Sequence, residues 1–238
     1  MKQINIEAFD LDDAWFRCLC AVIDYGHIYE ITRGSYKGQK RLEFDFVTVH
    51  VTSPANQIIP IIPEGMSVPP PTSMEYVESY MNYILTNSKT TQEDYTYGER
   101  LVDPVARTKD GKELPLAVNQ VLEVIRIYKE EGFGTNQATM EVGMPSDVIL
   151  QDPPCLRLID TRVRYGKLHF FIYFRSWDLW GGFPANLGAL QTLKNWMASE
   201  ISVEDGEIFA VSKGLHLYDH CWKYAELRTG KTINIEEK

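Results

Sequence analysis

Apolar residues recur at helical spacing in several parts of the chain. In residues 10–25 acidic side chains come first, and Trp15, Leu19, Val22 and Ile23 then fall on one face of a helix. The same spacing predicts helices over residues 73–86, 114–131 and 184–201, with Pro184 early in the last of them, and a short helix after the final strand.

Alternating apolar residues mark the strands. Residues 41–52 are predicted as a strand from the apolar residues Leu42, Phe44, Phe46, Val47, Val49 and Val51. Tyr165-Gly166-Lys167 separates two other strands in the manner of a hairpin turn. Prolines make residues 54–72 an extended surface segment. The predicted strands cover residues 41–52, 137–143, 155–166, 167–177 and 206–220, and a polar loop covers residues 88–112.

The order of these elements predicts an α+β fold. Helices and strands mix without a strict βαβ alternation, which favours a large mixed β-sheet packed with helices. A length of 238 residues suits one large domain. We expect that domain to span residues 1–228, followed by a loose, polar carboxy-terminal tail at residues 229–238.

Charge and cysteine usage narrow the possible functions. Lys and Arg number 24 against 33 Asp and Glu, a formal net charge of −9, which disfavours binding to nucleic acid polymers. The four cysteines form no CxxC pair, so the common zinc and redox spacings are absent. No signal peptide is recognisable, and no apolar run approaches the ~18 residues of a membrane span. We therefore expect a cytoplasmic protein with no membrane contact.

Cys155 is the first candidate for chemistry. It follows Asp152-Pro153-Pro154, whose prolines hold the backbone extended just before a predicted strand. A thiol reacts as thiolate, which a nearby cation such as Arg175 would stabilise. A buried structural cysteine is the alternative, and spacing alone leaves both interpretations open.

Segment 174–186, FRSWDLWGGFPAN, offers groups for ligand binding. Arg175 and Ser176 provide donors suited to a phosphate, and the glycine pair that includes Gly182 lets a ligand approach the backbone. Asn186 either caps the following helix or reads a base edge through its amide. Both roles of Asn186 remain open from the sequence.

Segment 213–220, KGLHLYDH, is the third candidate. Its alternation places His216 and Tyr218 on one face of a strand, where two polar side chains can hold a sugar hydroxyl. His216 and His220 have no third ligand at a suitable spacing, so we predict no metal site.

In order and spacing, three of these motifs together resemble the thymidylate synthase family. They are DPPC at 152–155, FRSWDLWGGFPANLGALQTL at 174–193 and KGLHLYDH at 213–220. YTYGER at 95–100 resembles the Tyr-Gly motif of the same family. The resemblance covers residues 95–220 well and the first third loosely, and the short length resembles the archaeal branch.

The resemblance implies a reaction and a set of roles. It implies C5 methylation of dUMP to dTMP through a covalent adduct of Cys155 at C6, with methylene-tetrahydrofolate or a related tetrahydropterin such as a methanopterin as donor of carbon and hydride, and with no metal. The implied site residues are Arg175 and Ser176 on the phosphate, with Arg175 also stabilising the thiolate, Asp178 facing the pterin, Gly182 beside the base, Asn186 on uracil O4 and N3–H, His216 and Tyr218 on the ribose hydroxyl, and Arg33 closing over the phosphate.

Three departures from the family pattern stand out. Just before strand 137–143, where the family has arginines given by the partner subunit, the sequence is Gly134-Thr135-Asn136-Gln137, and whether Asn136 and Gln137 take the place of the arginines stays open. The helical glutamate that assists proton transfer falls on Glu75 or Glu78, neither cleanly in register, and we take Glu78 as the candidate. The sequence TINIEEK stands where the family has an apolar carboxy terminus.

Other functions on the same scaffold remain open. A pyrimidine nucleotide 5-hydroxymethylase would stop before reduction, and a non-catalytic homologue would bind dUMP without turnover. A cysteine hydrolase is a distant third, because no His–Asn or His–Asp arrangement can be assigned to Cys155. The resemblance also implies a homodimer that joins through the sheet, which the aromatic strand residues Phe170, Phe171, Tyr173 and Phe174 support indirectly.

Overall fold

A mixed sheet of six strands forms the centre of the fold in the computed structural model, which describes residues 1–33, 36–91 and 93–235. The described strands are β1 Gln3–Ala8, β2 His27–Glu30, β3 Lys40–Glu43, β4 Phe46–Val51, β5 Val105–Arg107, β6 Glu113–Pro115, β7 Thr139–Glu141, β8 Leu156–Arg164, β9 Lys167–Phe174, β10 Trp177–Asp178, β11 Glu204–Ser212 and β12 Leu215–Tyr218. The described helices are α1 Leu11–Tyr25, α2 Met74–Leu85, α3 Tyr97–Val102, α4 Gln120–Glu130, α5 Gly182–Glu200 and α6 Trp222–Thr229. The predicted α+β class with a large mixed sheet is confirmed.

The large sheet combines parallel and antiparallel pairs in the order β1-β4-β11-β9-β8-β7. Strands β1 and β4 are parallel, as are β9 and β11, while β8 and β9 form an antiparallel hairpin. Tyr165 and Gly166 turn that hairpin with φ of 53° and 71°, as a tight turn of primed type requires. The hairpin predicted at this position is therefore confirmed.

A smaller sheet brings two sequence motifs side by side. Its order is β10-β12-β3-β2, and β10 pairs in parallel with β12, so Trp177 is opposite Leu215 and Asp178 is opposite His216. The segments 174–186 and 213–220, far apart in sequence, thus share one edge of the molecule.

Helices α1 and α5 cover the inner face of the large sheet. Asp10 caps α1 by accepting from the Asp13 N–H, and Trp15 of α1 is fully buried with its indole N–H on the carbonyl of Leu179 at 3.0 Å. Helix α2 packs against α5, where Gly188 lies close to Val77. These contacts fix the position of α2 relative to the segment that begins α5.

Two predicted strands are each divided in the structure. Segment 41–52 is split into β3 and β4, and segment 206–220 is split into β11 and β12. The cause is the same in both cases, because the chain leaves one sheet and enters the other, and the apolar alternation changes phase between the two strands. At the first crossing, the Phe44 N–H donates to the carbonyl of Leu215 at 3.1 Å.

Several other boundaries differ from the sequence predictions. The helix expected from residue 114 begins at Gln120, where Asn119 caps it. The loop expected over residues 88–112 contains α3, which Thr96 caps, and the start of a two-stranded ribbon. In the predicted tail, Ile233 is buried and its N–H donates to the carboxylate of Glu226, so this part packs on α6. Residues 236–238 of that tail lie outside the described residues.

Candidate active site

Hydrogen bonds on both sides of Cys155 fix its backbone at the start of β8. The Arg175 N–H donates to the Cys155 carbonyl at 2.9 Å, and the Leu156 N–H donates to the Tyr97 hydroxyl at 3.2 Å. The Arg175 guanidinium also holds the preceding prolines, through Nε on the Pro154 carbonyl at 3.0 Å and Nη2 on the Pro153 carbonyl. The thiol is therefore carried on a rigid segment.

Groups around Cys155 shift the pKa of its thiol in opposite directions. Burial raises the pKa of the thiol, Arg175 and Arg157 lower it, and Asp152 raises it. Because burial dominates, the thiol is protonated in the free protein.

Four tyrosines lie close enough to Cys155 for its charge to raise the pKa of their hydroxyls: Tyr80, Tyr95, Tyr97 and Tyr218. Burial raises the pKa of each hydroxyl above its ordinary value, so all four remain neutral and can donate or accept hydrogen bonds. Tyr97 comes from the YTYGER motif and Tyr80 from the middle of α2.

Three arginines line a cleft of about 590 Å³ beside the DPPC motif. Arg33, Arg157 and Arg175 belong to its wall, and the carboxylates of Asp147 and Asp152 hold two of them in place. Arg157 Nη1 is 3.0 Å from Asp147 Oδ2, and Arg175 Nη2 is 3.2 Å from Asp152 Oδ1. Guanidinium groups in this arrangement suit a phosphate.

Sequence reasoning did not identify Arg157. The sequence carried only a weak signal, an arginine two residues after Cys155, because an irregular register at Arg157 interrupts the alternation of faces at the start of β8. Its guanidinium lies against Gly143, where an added Cβ would come within 2.4 Å of Nη2. A glycine at position 143 is thus needed for Arg157 to occupy this place.

The Asn186 amide has one defined orientation. Its Oδ1 accepts from the Trp177 indole N–H at 3.0 Å, and its Nδ2 donates to the Tyr80 hydroxyl at 3.0 Å. An indole nitrogen can only donate, so Oδ1 must face Trp177. Helix α5 already begins at Gly182, and therefore Asn186 does not cap it.

His216 and Tyr218 lie on one face of β12 as predicted, with their rings in edge contact at 4.6 Å. His216 is 2% exposed, and its Nδ1–H donates to the Gly214 carbonyl at 2.8 Å. Burial lowers its pKa to about 4, so the ring is neutral and Nε2 is an acceptor. That buried Nε2 has no partner among the described residues. Tyr218 also stacks on Tyr36 at 4.5 Å.

Asp178 organises the start of α5. Its Oδ1 accepts from the Trp180 N–H at 3.1 Å, and its Oδ2 accepts from the N–H groups of Gly181 and Gly182 at 3.0 and 2.9 Å. A Cβ on Gly182 would lie 3.2 Å from Asp178 Cβ and 3.8 Å from Asn186 Oδ1. The glycine keeps this space open.

A family model described as thymidylate synthase matches residues 86–234. The chain belongs to the thymidylate synthase family. A Methanosarcina mazei protein with a provisional thymidylate synthase name is 30% identical over 221 residues, 93% of this chain and 92% of the relative. A Methanococcoides burtonii protein with the same provisional name is 31% identical over 222 residues, with the same shares. A Deoxyuridylate hydroxymethyltransferase of Bacillus phage SP01 is 41% identical over 69 residues, 29% of this chain and 18% of the relative.

Membership of the thymidylate synthase family makes this chain an enzyme of the methyltransferase class and implies a folate-type one-carbon donor and a pyrimidine nucleotide substrate. The archaeal relatives agree with the branch expected from the sequence. Within residues 1–33, 36–91 and 93–235, no group of three or more His, Cys, Asp or Glu side chains could hold a metal ion. Across the same residues, no helix has both the length and the apolarity needed to cross a membrane.

Glu78, the candidate glutamate, lies on a different face of α2 from Tyr80. Glu75 and Glu78 are both exposed on α2, whereas Val77 and Ile84 are buried. At ~100° per residue, Glu78 lies ~160° around the helix from Tyr80, which faces Asn186. Glu78 therefore lies on the opposite side of α2 from Tyr80, and its catalytic role stays a prediction.

The family's missing arginines are not restored at their own positions. Asn136 and Gln137 are both exposed, and neither belongs to the wall of the arginine-lined cleft. Gln137 instead lines a separate cleft of about 430 Å³ next to α4. Ser176 lies near Gly214, whose added Cβ would come 3.4 Å from Ser176 Cα, and it separates the arginines from the His216 region.

Proposed function

We propose that this enzyme is a cytoplasmic, homodimeric thymidylate synthase that methylates dUMP at C5, with a methylene-tetrahydropterin as donor. One observation carries the proposal. Cys155 lies beside both a cleft with three arginines and the tyrosines that surround the fixed Asn186 amide. Adjoining parts of one chain would thus bind the phosphate, bind the pyrimidine and supply the nucleophile.

The phosphate of the nucleotide would bind in the arginine-lined cleft. Arg33 Nη2 is 3.4 Å from the Leu150 carbonyl, which holds this arginine across the cleft from Arg175. Arg157 belongs to the same wall and keeps donors beyond those used on Asp147 and the Pro154 carbonyl. A phosphate dianion would order all three guanidinium groups beside Cys155.

Asn186 supports selection of uracil. After the contacts with Trp177 and Tyr80, one Nδ2 hydrogen and one Oδ1 lone pair remain. Those two groups match O4 and N3–H of uracil, which present an acceptor beside a donor. Trp177 prevents the amide from flipping to the arrangement that cytosine needs.

His216 supports binding of the sugar. Its Nε2 is a buried acceptor without a partner among the described residues, which normally costs stability. A ribose hydroxyl that donates to Nε2 satisfies it, and the Tyr218 hydroxyl next to it can bind the same oxygen.

The donor fits the space beside Gly182. A Cβ there would fill the room between Asp178 and Asn186, so the glycine leaves an open face for a flat ring, and Asp178 and Gly182 would hold the pterin. When bound, a methylene-tetrahydropterin supplies the one-carbon unit and the hydride. We propose the general class and leave open methanopterin or folate.

Cys155 would start the chemistry. Its thiolate electron pair forms the Sγ–C6 bond, the C5=C6 π pair moves toward C4, and the C4=O π pair moves onto O4 as an enolate. Arg175 lowers the pKa of Cys155 and so raises the fraction of thiolate. The enolate makes C5 nucleophilic, which allows exchange of its hydrogen.

Release of tritium from 5-tritiated dUMP tests the proposal, with and without each tetrahydropterin. Cys155→Ala should lose release by more than 1000-fold, an order of magnitude typical for removal of a nucleophile, while dUMP still binds. Cys20→Ser, at a half-buried cysteine of α1 near Lys231 and Asp24, is the matched control and should retain activity. Release by Cys155→Ala at a tenth of the wild-type rate would contradict the assignment.

The similarity to the phage hydroxymethyltransferase supports a second candidate, 5-hydroxymethylation of the same nucleotide. Both reactions release tritium from C5, but the products differ by one oxygen atom in mass. Mass spectrometry of the nucleotide product therefore decides between them.

A further inference from the structure

The Tyr80 hydroxyl is bonded to the side chain that would read the base. It accepts from Asn186 Nδ2 at 3.0 Å, while Trp177 fixes the other end of the amide. Since the hydroxyl is the acceptor in this bond, its own hydrogen is available for another oxygen. Burial raises the pKa of Tyr80 well above its ordinary value, so this hydrogen is retained.

Helix α2 presents this hydroxyl where a carboxylate was expected. Tyr80 follows buried Val77 by three residues and precedes buried Ile84 by four, so the three share the inward face of the helix. The α2 glutamates, Glu75 and Glu78, are exposed. Tyr80 also lies close enough to Cys155 to be influenced by its charge.

Neighbouring rings hold Tyr80 in place. Its ring stacks between Tyr76 at 6.1 Å and Tyr83 at 5.3 Å, and Tyr83 is in edge contact with Tyr97 at 6.2 Å. Tyr97 in turn binds the N–H of Leu156 next to the nucleophile. The hydroxyl is thus preorganised and needs little rearrangement when a nucleotide binds.

We infer that Tyr80 takes the part of the missing glutamate: its hydroxyl positions the Asn186 amide and donates a hydrogen bond to O4 of the bound uracil. This inference rests on the proposed function. When the thiolate pair of Cys155 forms the bond to C6, the displaced π electrons reach O4 as negative charge. A neutral hydroxyl stabilises that charge by hydrogen bonding, with no net transfer of a proton.

Tyr80→Phe removes the hydroxyl and keeps the ring. We expect tritium release from 5-tritiated dUMP to fall by ~30-fold or more in kcat, because a lost donor to a developing oxyanion has effects of this order. The dissociation constant for dUMP should change less than the rate, since the charge on O4 develops only during reaction. Thermal unfolding and circular dichroism check that the variant is folded.

Two further variants make the test specific. Tyr76→Phe removes the hydroxyl of an exposed neighbour on the same helix and should behave as wild type. Glu78→Gln represents the rival assignment, and a tenfold loss there with little effect of Tyr80→Phe would overturn the inference. A Tyr80→Phe rate within threefold of wild type would also overturn it.

A binding measurement separates this inference from the proposed function. The ratio of dissociation constants for dUMP and dCMP requires no turnover, and Tyr80→Phe should lower the preference for dUMP by roughly fivefold or more, because uracil O4 loses a donor. If the wild type releases no tritium, the proposed reaction fails, and an unchanged binding ratio would then overturn the role of Tyr80 as well.

Discussion

The indole N–H of Trp177 lies 3.0 Å from Oδ1 of Asn186, and this contact decides which way the amide faces. Trp177 is 2% exposed and stacks on Phe174 with ring centroids 4.0 Å apart. The indole therefore has little freedom to move. An amide held in this way distinguishes donor–acceptor patterns that a freely rotating one cannot.

Asn186→Asp should move the base preference from uracil toward cytosine. A carboxylate accepts from the cytosine amino group and repels uracil O4, and an unpaired buried polar group costs ~1–3 kcal/mol, or roughly 5–150-fold in preference. Trp177 can still donate to the carboxylate, so the local structure is retained. Turnover ratios for dUMP and dCMP, measured for both proteins, check the prediction.

A merely structural Asn186 would give a different result. Asp caps helices as well as Asn does, but α5 begins four residues earlier, at Gly182, so a capping role cannot mask the effect. Equal dUMP to dCMP ratios in wild type and Asn186→Asp would show that the amide does not read the base.

Arg157→Ala should weaken binding of the nucleotide but not of the nucleoside. Loss of a charge-assisted hydrogen bond to phosphate costs ~1.5–3 kcal/mol, so we expect KM for dUMP to rise by roughly 10–150-fold. Deoxyuridine has no phosphate, and its weak binding should be unchanged. Comparison of the two ligands by calorimetry or kinetics checks this prediction.

Gly143→Ala provides a second route to the same result. Its Cβ would lie within 2.4 Å of the Arg157 guanidinium and should displace it without removing the charge. Arg164→Ala, an arginine outside the cleft at the end of β8, is the matched control and should bind dUMP as wild type does. An equal loss of affinity for dUMP and deoxyuridine would place Arg157 outside the phosphate site.

The large sheet should be the dimer interface. In one row across its outer face, His50 stacks on Phe209 at 4.2 Å and Phe209 on Phe171 at 5.0 Å, and all three rings are only partly covered in the single chain. Sedimentation should give about twice the 27.4 kDa of one chain at micromolar concentration. Phe209→Asp should shift this mass to the monomer, since a buried carboxylate in an apolar interface is costly.

Leu122→Glu is the control for that experiment. Leu122 is 55% exposed on α4, so a charge there should leave the oligomeric state unchanged. A wild-type mass near one chain at micromolar concentration would contradict the proposed dimer.

Local patterns in the sequence predict those parts of the fold that depend on residues close together in the chain. The hairpin at Tyr165-Gly166 and the start of α1 after the acidic residues of segment 10–25 depend on chemistry within a few residues, and the structure has them. At the crossings near Phe44 and Gly214 the apolar alternation changes from even to odd positions, which marks a break in each strand. That local signal does not identify the new hydrogen-bonding partner, so the division between two sheets could not be predicted.

The same distinction applies to the site. Cys155, Arg175 and Asn186 lie in motifs with a distinctive amino-acid sequence, so they could be identified from the sequence. Tyr80 meets Asn186 only because α2 packs on α5, and no local pattern encodes that contact. The resemblance offers Glu78 as the candidate on α2, but the sequence alone does not show that this residue lies on the exposed face of the helix, opposite Tyr80.

His216 should make stability fall with decreasing pH. Its pKa is about 4 in the folded protein and near 6.5 when exposed, so between these values the unfolded chain binds a proton that the folded one does not. The contribution of His216 to the free energy of unfolding is then fully present above pH 6.5. It decreases as pH falls toward 4, by up to about 3 kcal/mol. The charged groups facing the ring are Asp178 on β10 and Arg41 and Glu43 on β3.

Urea unfolding at pH 7.5 and 4.5 measures this contribution of His216. Other acidic groups also titrate in this range, so the informative quantity is the difference between wild type and His216→Gln, whose amide has no comparable titration. We expect the variant to lose about 2–3 kcal/mol less than wild type on acidification. His220→Gln is the matched control, because His220 is exposed and is solvated in both states. If His216→Gln and wild type lose equal stability, His216 is not held neutral by burial, and its Nε2 would not be the acceptor proposed for the ribose hydroxyl.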